Sequence, residues 1–250
     1  MDGVLWRGAQ PLGDLTQRFE QIERLGWKTV LVTNNATRSV DFYLEKLRSF
    51  GVHLERWQVI SSGEALAYYL DKALPKNATL YVIGEEGLVS LLAHQGFIIG
   101  EENAQAVIVS LDRQLTYDKL RRGNRLVRAG AALIATNPDP SIPAPDGLEP
   151  GAGAILAAME AASGVQAVIA GKPNPQAYRL AMERLGTTPE ETLVIGDRLE
   201  TDIAGAQSLG CSTALVLSGV TSEEAASSWS PQPDLVARDL GEVLKIASEG

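Results

Sequence analysis

Four short segments carry residue types that could handle an oxygen-rich, charged ligand: Asp2-Gly3-Val4, Thr33-Asn34-Asn35, Gly171-Lys172-Pro173, and the run Gly196-Asp197-Arg198-Leu199-Glu200-Thr201-Asp202. Taken singly, each has an ordinary reading. Asp-Gly is a turn, Thr-Asn-Asn after a strand is a cap or loop, Gly-Lys-Pro is a solvated loop lysine, and an aspartate at a strand end is a cap. Their order and placement carry more weight than their composition. Each falls at or just after the C-terminal end of an expected strand, and in open α/β sheets that edge is where ligands bind. Carboxylates and a lysine there suit phosphoryl chemistry, because a phosphomonoester dianion repels nucleophiles and its hydrolysis needs positive charge around the phosphoryl oxygens.

The elements that must position these segments alternate in a βα rhythm. Residues 14–25 repeat Leu15, Phe19, Ile22 and Leu25 at helical spacing and stop at Gly26. The β-branched run 28–33 (KTVLVT) then reads as a buried strand, 42–50 as a helix, and 58–62 (QVISS) as a strand. From about residue 76 the alternation resumes with strands at 79–83, 105–110 and 132–136 and helices at 85–95 and 116–129. Residues 137–150 (NPDPSIPAPDGLEP) are expected to be a loop, since proline lacks a ladder donor. A helix at 152–162 and a strand at 166–170 follow, then a helix at 175–185, a strand at 192–195, a helix at 201–209 and a strand at 212–217. This alternation implies parallel sheets wrapped by helices.

In order along the chain, the four segments resemble the four signature motifs of the haloacid dehalogenase superfamily, and the GDRLETD run is the most specific of them. The resemblance is to the subgroup containing 4-nitrophenylphosphatase, phosphoglycolate phosphatase and pyridoxal phosphate phosphatase, known as IIA. It implies an α/β fold: a Rossmann-like parallel-sheet core with an inserted α/β cap domain. Core would then occupy residues 1–75 and 170–250, and cap residues 76–169.

What the resemblance implies for chemistry follows residue by residue. Asp2 matches the aspartate that protonates the leaving oxygen and then activates water, and its main-chain carbonyl would bind Mg2+. Asp197 matches the metal-binding carboxylate and Asp202 the one that orients the metal's water shell. Thr33, with the amides of Asn34 and Asn35, would hold the transferring phosphoryl group, while Lys172 would neutralise it. The family's nucleophile stands two positions before Asp2, at the end of an apolar strand central to the core. Met1 fills the intermediate position, so the nucleophile is expected just upstream of it, and residues 1–250 on their own are expected to be inactive. The alternative is a non-catalytic phosphate-binding or regulatory protein that keeps the pocket without the nucleophile. A phosphotransferase that passes the acyl phosphate to an alcohol is a third reading.

Bulk properties narrow the partners. A net charge of −9 repels a phosphate backbone, which argues against nucleic acid, and the small phosphorylated metabolite that the resemblance implies would need a local cation. The lone cysteine, Cys211, and the lack of a leader or a long apolar run point to a cytoplasmic protein that does not enter a membrane. The resemblance also admits a homodimer formed through the cap. Arg198 could be read as a phosphate ligand, but a salt bridge or a cap-facing contact is expected at least as readily; Cys211 is expected in a structural role, His53 and His94 in surface or packing roles, and Trp27 and Trp57 as packing residues. Substrate choice is expected to lie in the cap loop at residues 137–153, where Ile142 stands in place of a ring-contacting histidine of the pyridoxal phosphate phosphatases. That substitution argues against pyridoxal phosphate as substrate.

Overall fold

The computed structural model describes residues 1–35, 38–144 and 147–249, with the side chains of 143 and 144 outside the description. Residues 145–146 of the expected proline-rich loop therefore lie outside the described residues. The chain forms two compact units. One comprises Met1–Val32, Val40–Ile60 and Tyr178–Gly250, and the other Thr33–Ser39 and Ser61–Ala177.

In the first unit, strands Leu193–Gly196, Ser212–Val216 and Leu235–Ala237 form a parallel sheet in that order. Leu31–Val32 pairs in parallel with Val59–Ile60, and Trp6–Arg7 pairs antiparallel with Gln10–Pro11. The helix Leu15–Arg24 starts where Asp14 accepts the Gln17 amide, and it buries Leu15, Phe19 and Ile22. These side chains join Trp6, Tyr43, Leu47, Val216 and Leu244 in one core cluster. Removing such apolar surface from water, at about 25 cal/mol per Å2, is the main force holding the layer to its helices.

The second unit is a five-stranded parallel sheet in the order Val168–Ile169, Ala132–Ala135, Ala106–Val109, Thr79–Ile83, Ile98–Ile99. All four residues of the Ala106–Val109 strand are buried, as a central parallel strand covered on both faces requires. One side packs on Leu66, Leu70, Leu88 and Leu92, and the other on Ile155, Leu156 and Met159. Among the described residues no helix is long and apolar enough to cross a membrane.

Several elements differ from the sequence reading. The expected strand at 28–33 is ordered as a strand only at Leu31–Val32. Ser62 is not in a strand but opens the helix Ser62–Ala73, because Ser61 and Glu64 close a reciprocal capping box. The expected loop at 137–150 contains a hairpin, Ser141–Ala144 against Gly147–Pro150. Prolines are tolerated there because each strand of a two-stranded ribbon is an edge, and an edge strand can turn a missing donor outward. The expected helix at 201–209 is instead a wide π turn, Leu199–Ile203, followed by the short helix Ala204–Gln207. Trp27 and Trp57 are 37% and 45% exposed, so neither is a core residue. Cys211 is buried against Met182, and burial pushes its thiol up, which leaves it unreactive.

Candidate active site

In the first unit the strand Leu193–Gly196 ends directly at Asp197, and the π turn returns Asp202 to the same point. Asp202 Oδ2 accepts the main-chain amides of Asp197 at 3.3 Å and Arg198 at 3.2 Å. The amides of Asp202 and Ile203 both bond to the Arg198 carbonyl, at 3.0 and 3.2 Å, which is the widened step of the π turn. Tyr178 holds this turn from its other side, with its hydroxyl 2.7 Å from Thr201 O and 3.0 Å from Asp202 O. Burial raises the Tyr178 phenol well above its ordinary value, so it stays a neutral donor.

Asp197 and Asp202 are each 6% exposed. Burial, and next the negative charge of Asp202, push the Asp197 carboxyl above its ordinary value. Two buried carboxylates this close disfavour each other's charge unless a cation joins them. The backbone around Asp197 is shaped to leave it room. A Cβ on Gly3 or on Gly219 would overlap the Asp197 side chain, and a Cβ on Gly196 would overlap Asp202. Gly3 also has φ +75°, a left-handed conformation suited to glycine. The Asp2–Gly3 step thus lies against the Asp197 carboxylate, while Asp2 itself is exposed.

The segment 218–221 (SGVT) completes this half and went unnoticed in the sequence. Val220 N donates to Asp197 Oδ2 at 3.1 Å, Thr221 Oγ1 donates to Asp197 O at 2.7 Å, and Ser218 Oγ donates to Gly3 O at 2.7 Å. Its only sequence signal is a glycine shortly beyond the end of the strand Ser212–Val216, at the edge where Asp197 also sits. Arg198 is exposed, and its side chain takes no part in these bonds.

The second unit gathers the other expected residues. Thr33 is buried, and its Oγ1 accepts the Asn35 amide at 3.1 Å. The Asn34 side chain pairs with the main chain of Lys172, donating from Nδ2 to Lys172 O at 2.9 Å and accepting at Oδ1 from Lys172 N at 2.8 Å. Gly171 lies so close to Thr136 O and Asn34 Oδ1 that a Cβ would collide with both. Motifs two and three therefore meet as one group, and motifs one and four as another. Among the described residues no three His, Cys, Asp or Glu side chains cluster as metal ligands. The donor set nevertheless suits a hard dication, since two buried carboxylates beside the Asp2–Gly3 peptide supply oxygen ligands only and leave positions for water.

Comparison with known proteins shows the family and the fold. Residues 1–98 match the family model of haloacid dehalogenase-like hydrolases, and residues 169–243 match a HAD-hydrolase-like model. The chain is 36% identical to the 5'-nucleotidase YutF of Bacillus subtilis, over 90% of this chain and 87% of that protein. The chain belongs to the haloacid dehalogenase-like hydrolases. Its Rossmann-like core with inserted cap is that of subgroup IIA. The p-nitrophenyl phosphatase from Archaeoglobus fulgidus superposes with a TM-score of 0.90 at 32% identity, covering 98% of this chain and 96% of that one. The magnesium complex of the glycerol phosphate phosphatase Rv1692 from Mycobacterium tuberculosis superposes with a TM-score of 0.90 at 33% identity, covering 97% of this chain and 74% of that one.

Proposed function

We propose that this haloacid dehalogenase-like chain takes part in magnesium-dependent hydrolysis of small phosphomonoesters through an aspartyl-phosphate. The observation that carries the reading is the Asp197–Asp202 pair, buried after a strand end and walled by Gly3, Gly196 and Gly219. A family of hydrolases with phosphatases and a nucleotidase among its members, one of them solved with magnesium, supports it.

Magnesium, when bound, supplies charge that offsets the phosphoryl oxygens. Asp197 would ligate it through the carboxylate, Asp2 through the main-chain carbonyl, and Asp202 would orient its waters. The amide of Asn34 and the Thr33 hydroxyl would hold the phosphoryl oxygens, whereas the Asn35 amide, which donates to Thr33 Oγ1 in this structure, would have to give up that bond to join them. Accepting the Asn35 amide uses a Thr33 lone pair and leaves the hydroxyl its own proton to donate to such an oxygen. Lys172 would add the fixed positive charge that an anionic transition state uses. Asp2, exposed at the end of its turn, would give a proton to the leaving oxygen and later take one from water. The attacking carboxylate of the family pattern falls two positions before Asp2, upstream of Met1. In this reading the substrate is a small phosphorylated metabolite and the second unit carries the cap; pairing of caps between two copies is part of the same proposal.

Two polypeptides test it: residues 1–250 alone, and the same chain extended upstream through an aspartate at the expected position. The extended chain should release 4-nitrophenol from 4-nitrophenyl phosphate only with magnesium present, and residues 1–250 should not. Equal turnover by both chains would overturn the nucleophile assignment, and magnesium-independent turnover by the extended chain would overturn the metal assignment.

A further inference from the structure

Asn137 follows the strand Ala132–Ala135 and is 6% exposed, so its amide must find partners inside the protein. It finds two. Nδ2 donates to the Asn34 carbonyl at 2.7 Å, and Oδ1 accepts the Asp139 amide at 3.3 Å. The first of these bonds joins residues 103 positions apart, which makes it tertiary and not a local turn device. Asn34 then passes the constraint on, because its side chain bonds both the N–H and the C=O of Lys172. A side-chain amide paired at both ends with a peptide copies one rung of a β-ladder and fixes that backbone in distance and in tilt.

The layer beneath is equally closed. Gly171 N donates to Thr136 O at 2.9 Å, and Thr136 Oγ1 donates to the buried Ser110 Oγ at 3.0 Å. On its other side Asn137 leads into the chain that carries the hairpin, where Gly153 N bonds to Asp139 O at 2.8 Å and Gly151 N to Pro140 O at 2.9 Å.

We propose that Asn137 is a positioning residue for Lys172. It holds the Asn34 main chain, so that the Asn34 side chain sets the Lys172 backbone and hence where its ammonium group can reach. The base of the hairpin and the phosphate-holding lysine are thereby parts of one hydrogen-bonded unit. This inference rests on the reading of Lys172 as a phosphoryl ligand.

The test is a double-mutant cycle on the affinity of residues 1–250 for inorganic phosphate at saturating magnesium, measured by calorimetry. Lys172→Ala should weaken phosphate binding about 10- to 100-fold, as loss of a charge-assisted contact does. Asn137→Ala should weaken it about 10-fold in the parent chain but less than about 2-fold in the Lys172→Ala background, because its effect passes through Lys172. An equal factor in both backgrounds, or no loss from Asn137→Ala while Lys172→Ala is damaging, overturns the positioning role alone. Unchanged affinity in Lys172→Ala overturns the ligand reading and the inference with it. If Asn137→Ala does not fold, Asn137→Ser, polar enough for the buried site but too short to span to the Asn34 carbonyl, enters the same cycle with the same expected outcomes.

Discussion

Asp202 holds Asp197 from behind, through a carboxylate oxygen that accepts the amides of both Asp197 and Arg198. The π turn makes this possible by bringing a side chain five positions on back to the strand end. Asp202 Oδ2 is thus tied to two main-chain donors, whereas Asp197 Oδ2 takes one, from Val220, and its carboxylate faces Gly3 and Gly219. One carboxylate braces the turn, while the other, in the proposed reading, meets a cation.

That difference predicts a pH-dependent effect of Asp197→Asn on the metal-free chain. Because the folded carboxyl is raised, the native state binds the proton more tightly than the unfolded state does. Stability therefore falls as pH rises from the ordinary carboxylate range through the raised value, and the cost persists above it. A neutral amide at this position carries no such cost, so the variant should melt higher than the parent above that window and equal to it below. Magnesium should reverse the order. At about 100 times its dissociation constant it would stabilise the parent by about 2.7 kcal/mol and the variant hardly at all. Melting curves at several pH values with and without magnesium check this, and a variant that keeps the full magnesium shift would exclude Asp197 as a ligand.

Gly219→Ala tests the wall around Asp197. A methyl group there has no room beside the Asp197 side chain, so the carboxylate must move or the 218–221 segment must lift. Such overpacking costs about 1–3 kcal/mol. Displacing a metal ligand's support lowers affinity by about 10- to 100-fold. Magnesium titration should show that loss, and the same substitution at Gly87, where a Cβ meets nothing and the backbone is helical, should show none.

Tyr178→Phe probes the turn from its buried side. The hydroxyl serves the Thr201 and Asp202 carbonyls, and its removal leaves them without that donor. The expected cost is about 1–2 kcal/mol, or a melting temperature lower by about 2–8 °C in a chain of this size. Magnesium affinity should fall as well, since Asp202 sits on the loosened turn. Calorimetry that finds lower stability with unchanged magnesium affinity would show that the Tyr178 bonds hold the fold and not the site.

Three of the four motifs were legible because each is a local run of unusual residue types after an apolar strand, and Asp2-Gly3-Val4 was legible by its order before them. Asp197 and Asp202 could be paired from sequence, since both lie in one turn. The segment 218–221 was not legible, because serine, glycine, valine and threonine advertise no chemistry and act through backbone, a hydroxyl and a missing Cβ. Asn137 was hidden for another reason. Its partner Asn34 is 103 positions away, and only the tertiary fold joins them. The helix Ser62–Ala73 had a readable start in Ser61-Ser62-Gly63-Glu64, but the preceding valine and isoleucine extended the strand pattern across it. The hairpin after Asn137 was masked by prolines that a two-stranded ribbon accommodates.

Substitution can separate the charge that every substrate would use from the surface that would select among them. Lys172 is held by the Asn34 side chain, while Ile142 sits in the hairpin opposite Glu149, whose carboxylate lies 3.5 Å from Arg113. Arg113 also bonds Glu85 at 2.8 Å, and the three groups are partly exposed, so their ties are each worth less than about 1 kcal/mol. Ile142→His and Glu149→Gln can therefore change the hairpin surface without dismantling the fold. In the upstream-extended enzyme, Lys172→Ala removes a charge that a phosphoryl transition state needs whatever the leaving group. Its kcat/KM should fall by about 10^2-fold or more, and by a similar factor, for aryl, sugar and carboxylic phosphates. The hairpin variants should leave the fastest substrate within about tenfold of the parent while changing which substrate that is, because a pocket contact discriminates by about 1–3 kcal/mol. Profiling every variant against one panel at saturating magnesium decides the matter. A reordered panel for Lys172→Ala, together with a uniformly scaled panel for the hairpin variants, would reverse the assignment of catalysis and selection.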